Sequence, residues 1–258
     1  MANTVQPQCQ NYLDACLTSI KKGGYYENGY HVLLVYDNCP EEFQKYFKEK
    51  FSGDFIAAIS NVNPKNLNFC KNVNTGLRIA FQAAQSTGDI DAQFIILNMD
   101  TILPPHWHLD KVFGEGLSSP TPVDDPTVVL SKVGPDHKWE QKRHQVTRLG
   151  GFCMCLSYKL VEKIGVLDER FTASFEDDSL CADALLAGFP VELVDIKVHH
   201  ELKDRTTPSN TGAYDEISLG VHLNIFRRKY SIPPTVPHEN FNQWIVDNHV
   251  WVPERKNV

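Results

Sequence analysis

The stretch that most constrains the fold is QFIILNMDT, residues 93–101. Its first five residues are almost wholly apolar, which predicts a strand of a parallel sheet that is buried on both faces. Asn98 and Asp100 follow this strand, and Pro104 and Pro105 prevent it from continuing. Open α/β sheets bind their ligands beyond the carboxyl ends of such strands. Asp100 is therefore either a ligand-binding carboxylate or the cap of a helix that follows.

The order of apolar segments predicts an α/β fold. Strand and helix periodicities alternate through the first hundred residues, which is typical of parallel strands joined by right-handed crossover helices. The later sequence has more loops, so we expect a mixed, mostly parallel sheet flanked by helices. The predicted strands are residues 31–36, 55–59, 93–97, 127–133, 150–156 and 191–198, with a strand stub at 5–7. The predicted helices are residues 11–21, 73–84, 158–164, 180–187 and 214–230, and another that opens at Pro40; residues 114–126 and 134–148 are predicted as loops.

The chain length of 258 residues suits one large domain with an appendage. We assign residues 1–204 to the α/β domain. Residues 205–258 form the predicted C-terminal helical extension, which consists of a linker, an amphipathic helix and an aromatic tail. The extension is too short to fold alone, so we expect it to pack on the main domain.

Charge and composition exclude several classes of protein. The net charge is −7 and no long basic run occurs, so nucleic acid is excluded as a partner. No apolar run is long enough to span a membrane and no signal peptide is recognisable. The seven cysteines lie mostly in apolar periodic segments, as expected for small buried side chains in a reducing compartment. We therefore expect a soluble, cytoplasmic protein.

Two common nucleotide-binding signatures do not occur in this sequence. No predicted strand is followed by Gly-x-Gly-x-x-Gly, which argues against a dinucleotide cofactor, and no Gly-Lys-Ser/Thr phosphate loop occurs. Any nucleotide must therefore be bound by another kind of site.

Polar residues follow several predicted strands at the same end of the sheet. They are Asp37, Asn98 with Asp100, the acidic run Glu176-Asp177-Asp178, and His199-His200. A carboxylate, a neutral imidazole and phosphate oxygens form a suitable site for Mg²⁺ or Mn²⁺. Such an ion would bridge a diphosphate and neutralise the charge that builds on it as a leaving group. A second carboxylate nearby would take a proton from an attacking hydroxyl group.

Six segments in this order resemble the motifs of nucleotide-sugar glycosyltransferases of the GT-A fold, in the broad family 2 class. They are YLDACLTSI at residues 12–20, VYDNC at 35–39, NLNFCKNVNTG at 66–76, LNMDT at 97–101, GVLDERF at 165–171 with FEDDSLC at 175–181, and the terminal His199 or His200. The resemblance implies transfer of a sugar from a UDP- or GDP-sugar to a hydroxyl acceptor. It also implies a glycan as the default acceptor and inversion by direct displacement.

The resemblance implies roles for individual residues. Asp100 would ligate Mn²⁺ or Mg²⁺ on the donor diphosphate, and His199, or His200 in its place, would complete the metal site. Asp177 would be the general base, with Glu176 beside it in the catalytic pair. The residues expected to contact the nucleotide-sugar are Pro7, Gln8, Asp37, Asn68, Lys71, Asn98, Met99 and Asp100. The residues expected to meet the acceptor are Gly151, at a glycine-rich strand start, and Trp139, whose ring can stack on a sugar.

Each of these residues also has an ordinary structural interpretation. Asp37 can initiate a turn, and the acidic run can stabilise the positive end of the following helix dipole. His199 can be a hydrogen-bonded histidine at a strand end, Lys71 can solvate a helix face, and Trp139 can pack within its loop. The sequence alone leaves these alternatives open.

Several positions depart from the family pattern. The first strand is nearly absent, Tyr36 stands in place of the first aspartate of a pair, and Asn68 stands in place of a glycine. Ser179 and Asp183 replace a common aspartate and a common arginine, which implies an unusual acceptor, altered ion pairing or loss of activity.

The departures define two alternative functions. The first is a nucleotide-sugar-binding protein of this fold that has lost turnover. The second is a nucleotidyltransferase, which also uses carboxylates and a metal at strand ends. A nucleotidyltransferase would usually carry a glycine-rich, basic phosphate loop near the N-terminus, and this sequence has none there.

Overall fold

The computed structural model describes residues 7–37, 39–51, 56–61, 69–104, 112–123, 142–172, 174–200 and 216–248, with the backbone alone at residues 7–9, 37, 56–61 and 216–218. Its helices are α1 (Pro7–Lys22), α2 (Glu41–Lys50), α3 (Phe69–Thr87), α4 (Tyr158–Ile164), α5 (Glu176–Leu186), α6 (Glu216–Tyr230) and α7 (Phe241–Asp247). Its strands are β1 (Val32–Asp37), β2 (Ile56–Asn61), β3 (Gln93–Leu97), β4 (Thr101–Ile102), β5 (Leu117–Val123), β6 (Arg143–Gln145), β7 (Cys153–Ser157) and β8 (Val191–His200).

Helix α1 begins earlier than the sequence predicts. Pro7, which we expected at the end of a strand stub, occupies the first turn of the helix instead. Proline is favoured there because the first N–H groups of a helix have no intrahelical acceptor. Lys21 and Lys22 lie in the last turn, and Gly24 then adopts a left-handed conformation with φ of 70°. The strand stub is therefore wrong at Pro7, and the residues before it lie outside the described part of the chain.

The described strands form two sheets. Strands β1 and β2 pair in parallel, in register from Val32 opposite Ile56 to Asp37 opposite Asn61. The second sheet has six strands in the order β3-β7-β5-β8-β4, and β6 pairs with β8. Within it β5 and β8 are parallel, whereas the pairs β3–β7, β5–β7, β4–β8 and β6–β8 are antiparallel. The expected α/β fold with a mixed sheet is confirmed.

Strand β3 coincides with the predicted residues 93–97, but its described partner β7 runs antiparallel to it. Phe94 and Ile96 pack in one apolar cluster, with α3, α4 and α6, whereas Ile95 and Leu97 pack in the cluster on the other side. The prediction that both faces are covered is therefore confirmed. The prediction of a parallel neighbour is wrong for β7. An apolar run indicates that both faces of a strand are buried, but it does not indicate the direction of the neighbouring strand.

Strands β5 and β6 lie in segments that we predicted as loops. Pro120 and Pro122 argue against a strand, yet β5 accommodates them because its register with β8 shifts between Pro120 and Thr121. Strand β6 is held at its edge by Arg143, which forms a 2.6 Å ion pair with Glu192 and also donates to the Phe113 carbonyl oxygen. The strand predicted at residues 127–133 lies outside the described residues.

Two boundaries matter for the site. Helix α5 begins at Glu176, four residues before the predicted start, so the whole acidic run lies in its first turn. Strand β8 extends through His200, so both histidines belong to a strand and their side chains point to opposite faces.

The C-terminal extension packs against the main domain through its described helices. Phe226 and Tyr230 of α6 and Phe241 and Ile245 of α7 are buried in the apolar cluster that also contains Phe171. Within the described ranges, no helix is both long and hydrophobic enough to cross a bilayer.

Candidate active site

The first part of the site is the turn that connects β3 to β4. The Thr101 N–H donates to the Asn98 carbonyl oxygen over 3.2 Å, and this bond closes the turn around Asp100. Strand β4 then pairs with the end of β8, so that Thr101 lies opposite His200. As a result His200 Nε2 lies 3.4 Å from Oδ1 of the buried Asp100. We refer to Asp100 and His200 together as the metal edge.

His199 occupies a different environment from His200. It is buried, and its Nδ1 donates to the Val123 carbonyl oxygen of β5 over 3.1 Å. The His200 ring instead stacks on Phe152, with 4.8 Å between ring centroids. Asp100 thus contacts His200, the predicted substitute for His199, because adjacent residues of a strand face opposite sides. Metal binding by either histidine stays a prediction.

The metal edge fits a divalent ion that is shared with a ligand. It presents one carboxylate oxygen and one imidazole nitrogen, a donor set that Mn²⁺ accepts readily and Mg²⁺ accepts with more oxygen ligands. Among the described residues, the metal edge included, no group of three or more His, Cys, Asp or Glu side chains is arranged to hold an ion. An ion at this edge would therefore need further ligands such as phosphate oxygens and water.

The second part of the site is the acidic turn, Glu176-Asp177-Asp178, at the start of α5. Phe175 precedes it in a left-handed conformation with φ of 67°, which is uncommon for a bulky residue. The Phe175 ring packs on Phe226 and His238, with centroid distances of 5.4 and 4.8 Å. Aromatic packing from the C-terminal extension thus offsets the backbone strain at the entry to the turn.

Burial and mutual repulsion raise the pKa values of carboxyl groups in the acidic turn. Burial, followed by the negative charge of Asp178, raises the pKa of Asp177 to about 6. Burial and the charges of its two neighbours raise the pKa of Glu176 to about 7. Asp177 is therefore ionised at neutral pH and has a pKa close to the range that suits a general base.

Asp178 has a different role from Asp177. Its Oδ1 lies 2.5 Å from Nε of Arg148, and its Oδ2 lies 3.6 Å from Nε2 of His238. The Asp178 side chain is only 6% exposed, and Arg148 counteracts the rise in its pKa that burial causes. The Asp178 N–H also donates to Asp177 Oδ1 over 2.8 Å. Asp178 thus anchors the turn through its ion pair with Arg148.

Gly151 faces the Asp177 carboxylate directly. A Cβ atom built on Gly151 would lie 3.5 Å from Asp177 Cβ and 3.7 Å from Asp177 Oδ2. Gly151 therefore packs directly beside the Asp177 carboxylate. The acceptor role that the sequence predicts for Gly151 and the base role that it predicts for Asp177 stay predictions.

The segment Gly151-Phe152 joins the metal edge to the acidic turn. Gly151 faces Asp177, and the Phe152 ring stacks under His200. The Phe152 carbonyl oxygen also accepts a hydrogen bond of 2.8 Å from the Asn98 N–H, at the start of the turn that carries Asp100. The two parts therefore flank the same two-residue segment.

The structure describes only some of the other residues that the sequence predicts to bind ligands. Asn98 and Met99 are half-buried beside Asp100, whereas Lys71 is exposed in the first turn of α3. Pro7 and Gln8 lie in the first turn of α1, and Asp37 ends β1; only their backbone is described. Asn68 and Trp139 lie outside the described residues. Binding of a nucleotide-sugar or an acceptor by these residues stays a prediction.

Asn74 is a residue whose role the motifs did not reveal. Its buried side-chain amide donates to the Leu167 carbonyl oxygen and accepts from the Leu167 N–H, each over 2.9 Å. It also donates to Glu169 Oε1 over 3.0 Å, and this bond, followed by Arg78, lowers the pKa of Glu169. Two of the motif segments therefore contact each other, and the polar residues Asn74 and Glu169 within them were the available signal.

Ser179 and Asp183, the two departures on α5, both contact α6. Lys229 Nζ lies 2.7 Å from Asp183 Oδ2 and donates to Ser179 Oγ over 2.7 Å. The Tyr230 hydroxyl donates to Asp183 Oδ1 over 2.8 Å. An ion pair at Asp183 is compatible with altered ion pairing, one of the three explanations that the sequence leaves open. Neither Lys229 nor Arg148 carries a local sequence signal, because their partners lie far along the chain.

Comparison of the sequence with protein-family models and with curated proteins gives no match. Comparison with solved structures gives similarity to GalNAc-T7 crystallised with UDP, GalNAc and Mn²⁺, at 11% identity and a TM-score of 0.57. That alignment covers 92% of this chain and 52% of the other, so the chain spans about half the length of GalNAc-T7.

Structures of TarS from S. aureus are also similar, at lower TM-scores. The longer TarS chain gives 0.43 with 13% identity, and covers 92% of this chain and 45% of its own. The chain of residues 1–349 gives 0.44 with 14% identity, and covers 94% and 78%. The similarity to GalNAc-T7, together with the mixed sheet described above, shows that this chain has an α/β fold of the GT-A type.

Proposed function

We propose that this protein is a metal-dependent glycosyltransferase that moves a sugar from a nucleotide diphosphate donor to a hydroxyl group of an acceptor. The observation that carries the proposal is the junction at Gly151-Phe152, which places the Asp177 carboxylate and the metal edge on either side of one segment. A base and a site for an activated leaving group must be neighbours in such a reaction.

The donor side of the proposal rests on the metal edge and on the fold. Asp100 and His200 would hold Mn²⁺ or Mg²⁺, which would neutralise the charge that develops on the departing diphosphate. GalNAc-T7, which shares the fold, was crystallised with UDP and Mn²⁺, so a UDP-sugar with Mn²⁺ is our first choice and a GDP-sugar our second. Asn98 and Met99 lie beside Asp100, where they would contact the donor.

The acceptor side rests on Asp177. An acceptor hydroxyl group would enter beside Gly151, which contributes no side chain next to Asp177, and would pass its proton to the Asp177 carboxylate. Glu176, with a pKa of about 7, is partly protonated at neutral pH and so adds less negative charge beside the base than a fully ionised neighbour would. Direct displacement with one base inverts the anomeric carbon, and a glycan is the acceptor that we propose.

A binding protein without turnover is the second candidate function. It is motivated by Ser179 and Asp183, which replace residues common in the resembling family. Both side chains bind Lys229 on the face of α5 away from Asp177, so their identity does not require a loss of catalysis. A cytoplasmic location remains a prediction from the sequence.

The first test is a thermal-shift measurement against UDP-, GDP-, CMP- and dTDP-sugars with Mn²⁺, Mg²⁺ or EDTA. A ligand that binds the native state raises the melting temperature by mass action. We expect a shift for one nucleotide that requires a divalent metal and disappears in Asp100→Ala. Asp91→Ala is the matched control, because Asp91 is exposed at the other end of β3. No shift with any donor, or a shift that is indifferent to metal and to Asp100, would overturn the proposal.

The second test separates transfer from binding. Release of the nucleoside diphosphate is measured with the donor identified above and a panel of glycan acceptors, for the wild type and for Asp177→Asn. We expect release by the wild type and its loss in the variant, with the donor-induced thermal shift retained. A thermal shift in both proteins with no release in either would favour the binding protein.

A further inference from the structure

A buried charged cluster joins the acidic helix α5 to the C-terminal helix α6. Lys229 Nζ lies 2.7 Å from Asp183 Oδ2 and 3.3 Å from Asp168 Oδ2, and it donates to Ser179 Oγ over 2.7 Å. The Tyr230 hydroxyl donates to Asp183 Oδ1 over 2.8 Å and to the Ser179 carbonyl oxygen over 3.0 Å. The Lys229 side chain is only 3% exposed. We refer to these five residues as the Lys229 cluster.

The Lys229 cluster holds the face of α5 that lies opposite the catalytic face. Ser179 and Asp183 are four residues apart and therefore lie on one face of the helix. Asp177 precedes Ser179 by two residues, which corresponds to about 200° around the helix axis. Contacts at Ser179 and Asp183 consequently fix the rotation of α5 about its axis without obstructing the carboxylate of Asp177.

The extension also contacts the segments on either side of the acidic turn. His222 of α6 is buried between two hydroxyl groups, with Thr172 Oγ1 2.8 Å from its Nε2 and Ser174 Oγ 2.9 Å from its Nδ1. Asn242 of α7 donates to the carbonyl oxygen of Asp178 over 3.2 Å and to that of Thr147 over 2.7 Å. The extension therefore holds the approach to the turn, the turn itself and the helix that follows.

Stability alone is a poor explanation for a buried lysine at this position. Burying charges costs desolvation free energy, and apolar side chains of similar volume often stabilise a protein as well or better. The charges in the cluster are balanced, because Arg170 binds Asp168 with Nε–Oδ1 and Nη2–Oδ2 distances of 3.0 and 2.7 Å. Apolar side chains in place of the cluster would make no directional contacts. Hydrogen bonds to Ser179 and Asp183 define one rotation of α5 about its axis, whereas apolar packing alone permits several.

We propose that Lys229, supported by Tyr230, is a positioning residue for the general base Asp177. This inference rests on the proposed transferase function. A helix is about 10–12 Å across with its side chains, so a rotation of about 20° moves a side-chain tip by about 2 Å. A misplacement of about 1 Å in an active site can cost about 10²-fold in rate. Lys229 acts through α5 and touches neither donor nor acceptor.

The test compares Lys229→Met with Arg228→Met, a charge-matched control at the neighbouring exposed position of the same helix. We expect Lys229→Met to lower kcat by about 10- to 100-fold, while donor affinity in the thermal-shift assay changes less than about 3-fold. Amide hydrogen exchange across residues 174–181 should become faster, because the turn loses its anchor. Arg228→Met should leave all three quantities unchanged, and Lys229→Arg should restore part of kcat.

A second variant separates positioning from folding. Lys229→Met with Asp183→Asn removes one charge of each sign, so that Asp168 and Arg170 remain as a balanced pair. We expect this double variant to recover most of the melting temperature that Lys229→Met loses, while kcat stays low and exchange at residues 174–181 stays fast. If kcat recovers together with the melting temperature, Lys229 serves only stability and the inference is overturned.

The wild type distinguishes failure of this inference from failure of the proposed function. No turnover by the wild type with any donor and acceptor would overturn the transferase proposal and, with it, the assignment of Lys229 to a general base. Turnover by the wild type with kcat unchanged in Lys229→Met would overturn the inference alone. Turnover by the wild type, with a selective loss of kcat in Lys229→Met and in the double variant Lys229→Met with Asp183→Asn, would support the inference.

Discussion

The metal edge and the acidic turn are both acidic, buried and adjacent to Gly151-Phe152, yet they are held in different ways. Asp100 and His200 are positioned by main-chain pairing, since β4 lies antiparallel to the last two residues of β8. The acidic turn is positioned by side chains from distant parts of the sequence, among them Arg148, Lys229 and Asn242. The strand register would position the proposed ligand site as soon as the sheet forms, whereas the position of the proposed base would depend on docking of the extension.

This difference suggests that the two parts respond differently to mutation. Main-chain pairing is insensitive to most side-chain changes, so we expect the metal edge to be altered mainly by substitutions of Asp100 and His200 themselves. The acidic turn depends on charged and polar side chains that are buried together. Removal of one of them takes a hydrogen-bond or charge partner from the buried groups that it contacts. Four predictions test this contrast, from the largest expected effect to the smallest.

Asp177→Asn should separate catalysis from binding. We expect turnover to fall by about 10²- to 10⁴-fold, the usual contribution of a general base, with the metal-dependent donor shift preserved. The variant should also melt at a higher temperature than the wild type at pH 8. Burial raises the pKa of Asp177 to about 6, so the ionised form is disfavoured in the folded state and its stability cost appears as pH rises through that value.

The melting advantage of Asp177→Asn should therefore shrink as the pH is lowered toward 4, where the wild-type carboxyl group is protonated. Differential scanning calorimetry at several pH values measures it. Asp91→Asn, at an exposed position, should melt like the wild type throughout. Retained turnover in Asp177→Asn would remove this residue from the mechanism.

His200→Ala should change the metal dependence of donor binding, whereas His199→Ala should change only stability. His200→Ala should weaken the Mn²⁺ dependence of donor binding by at least about tenfold, as is typical when a metal site loses an imidazole. His199→Ala should leave the metal dependence intact and lower stability by about 1–2 kcal/mol, because the Val123 carbonyl oxygen loses its donor. Titration of the donor-induced thermal shift with Mn²⁺ measures the first effect. The reverse result would restore His199 as the ligand.

Asn74→Ala should weaken the connection between α3 and the loop that carries Asp168. The variant leaves the buried N–H and carbonyl groups of Leu167 without the partners seen here, which costs about 2–3 kcal/mol. Urea denaturation measures the free energy of unfolding, with Gln82→Ala on the exposed side of α3 as the control. A cost below that of the control would show that the amide contacts contribute nothing to the fold.

Arg148→Met should shift the pH dependence of catalysis. A general base works when deprotonated, so kcat/KM of the wild type should rise with pH to a half-maximum near the Asp177 pKa of about 6. The Arg148 charge holds that pKa lower than burial alone would, so its removal should move the half-maximum upward by up to about one pH unit. Arg228→Met should leave the profile in place, and a downward shift in Arg148→Met would contradict the proposed electrostatics.

The sequence predicts the parts of this molecule that depend on neighbours in the chain. Strand β3 lies at its predicted residues because a short apolar run ended by polar residues and two prolines is a local signal. The position of Asp100 after that strand and the placement of the acidic run at a helix start follow from the same kind of signal. Such local signals also mispredict some elements. Two prolines argue against a strand at β5, but a register shift accommodates them.

The parts that could not be predicted depend on residues far apart in sequence. Asn74 binds Leu167 across 93 positions, and Lys229 binds Asp183 across 46. The choice between His199 and His200 depends on the register of β4 with β8, because a shift of one residue exchanges the two faces of a strand. Neither periodicity nor composition contains the information that decides these contacts.

The Lys229 cluster has a consequence for how this chain can diverge. Because Lys229 and Asp183 form a buried ion pair, loss of Lys229 removes that pair from Asp183, and loss of Asp183 leaves Lys229 beside Asp168, which Arg170 already binds. Single substitutions at these positions are therefore disfavoured, and tolerated changes must arrive in pairs. In natural sequences that share this extension, residues at positions 168, 179, 183 and 229 should covary as a set, while Asp177 changes independently of them.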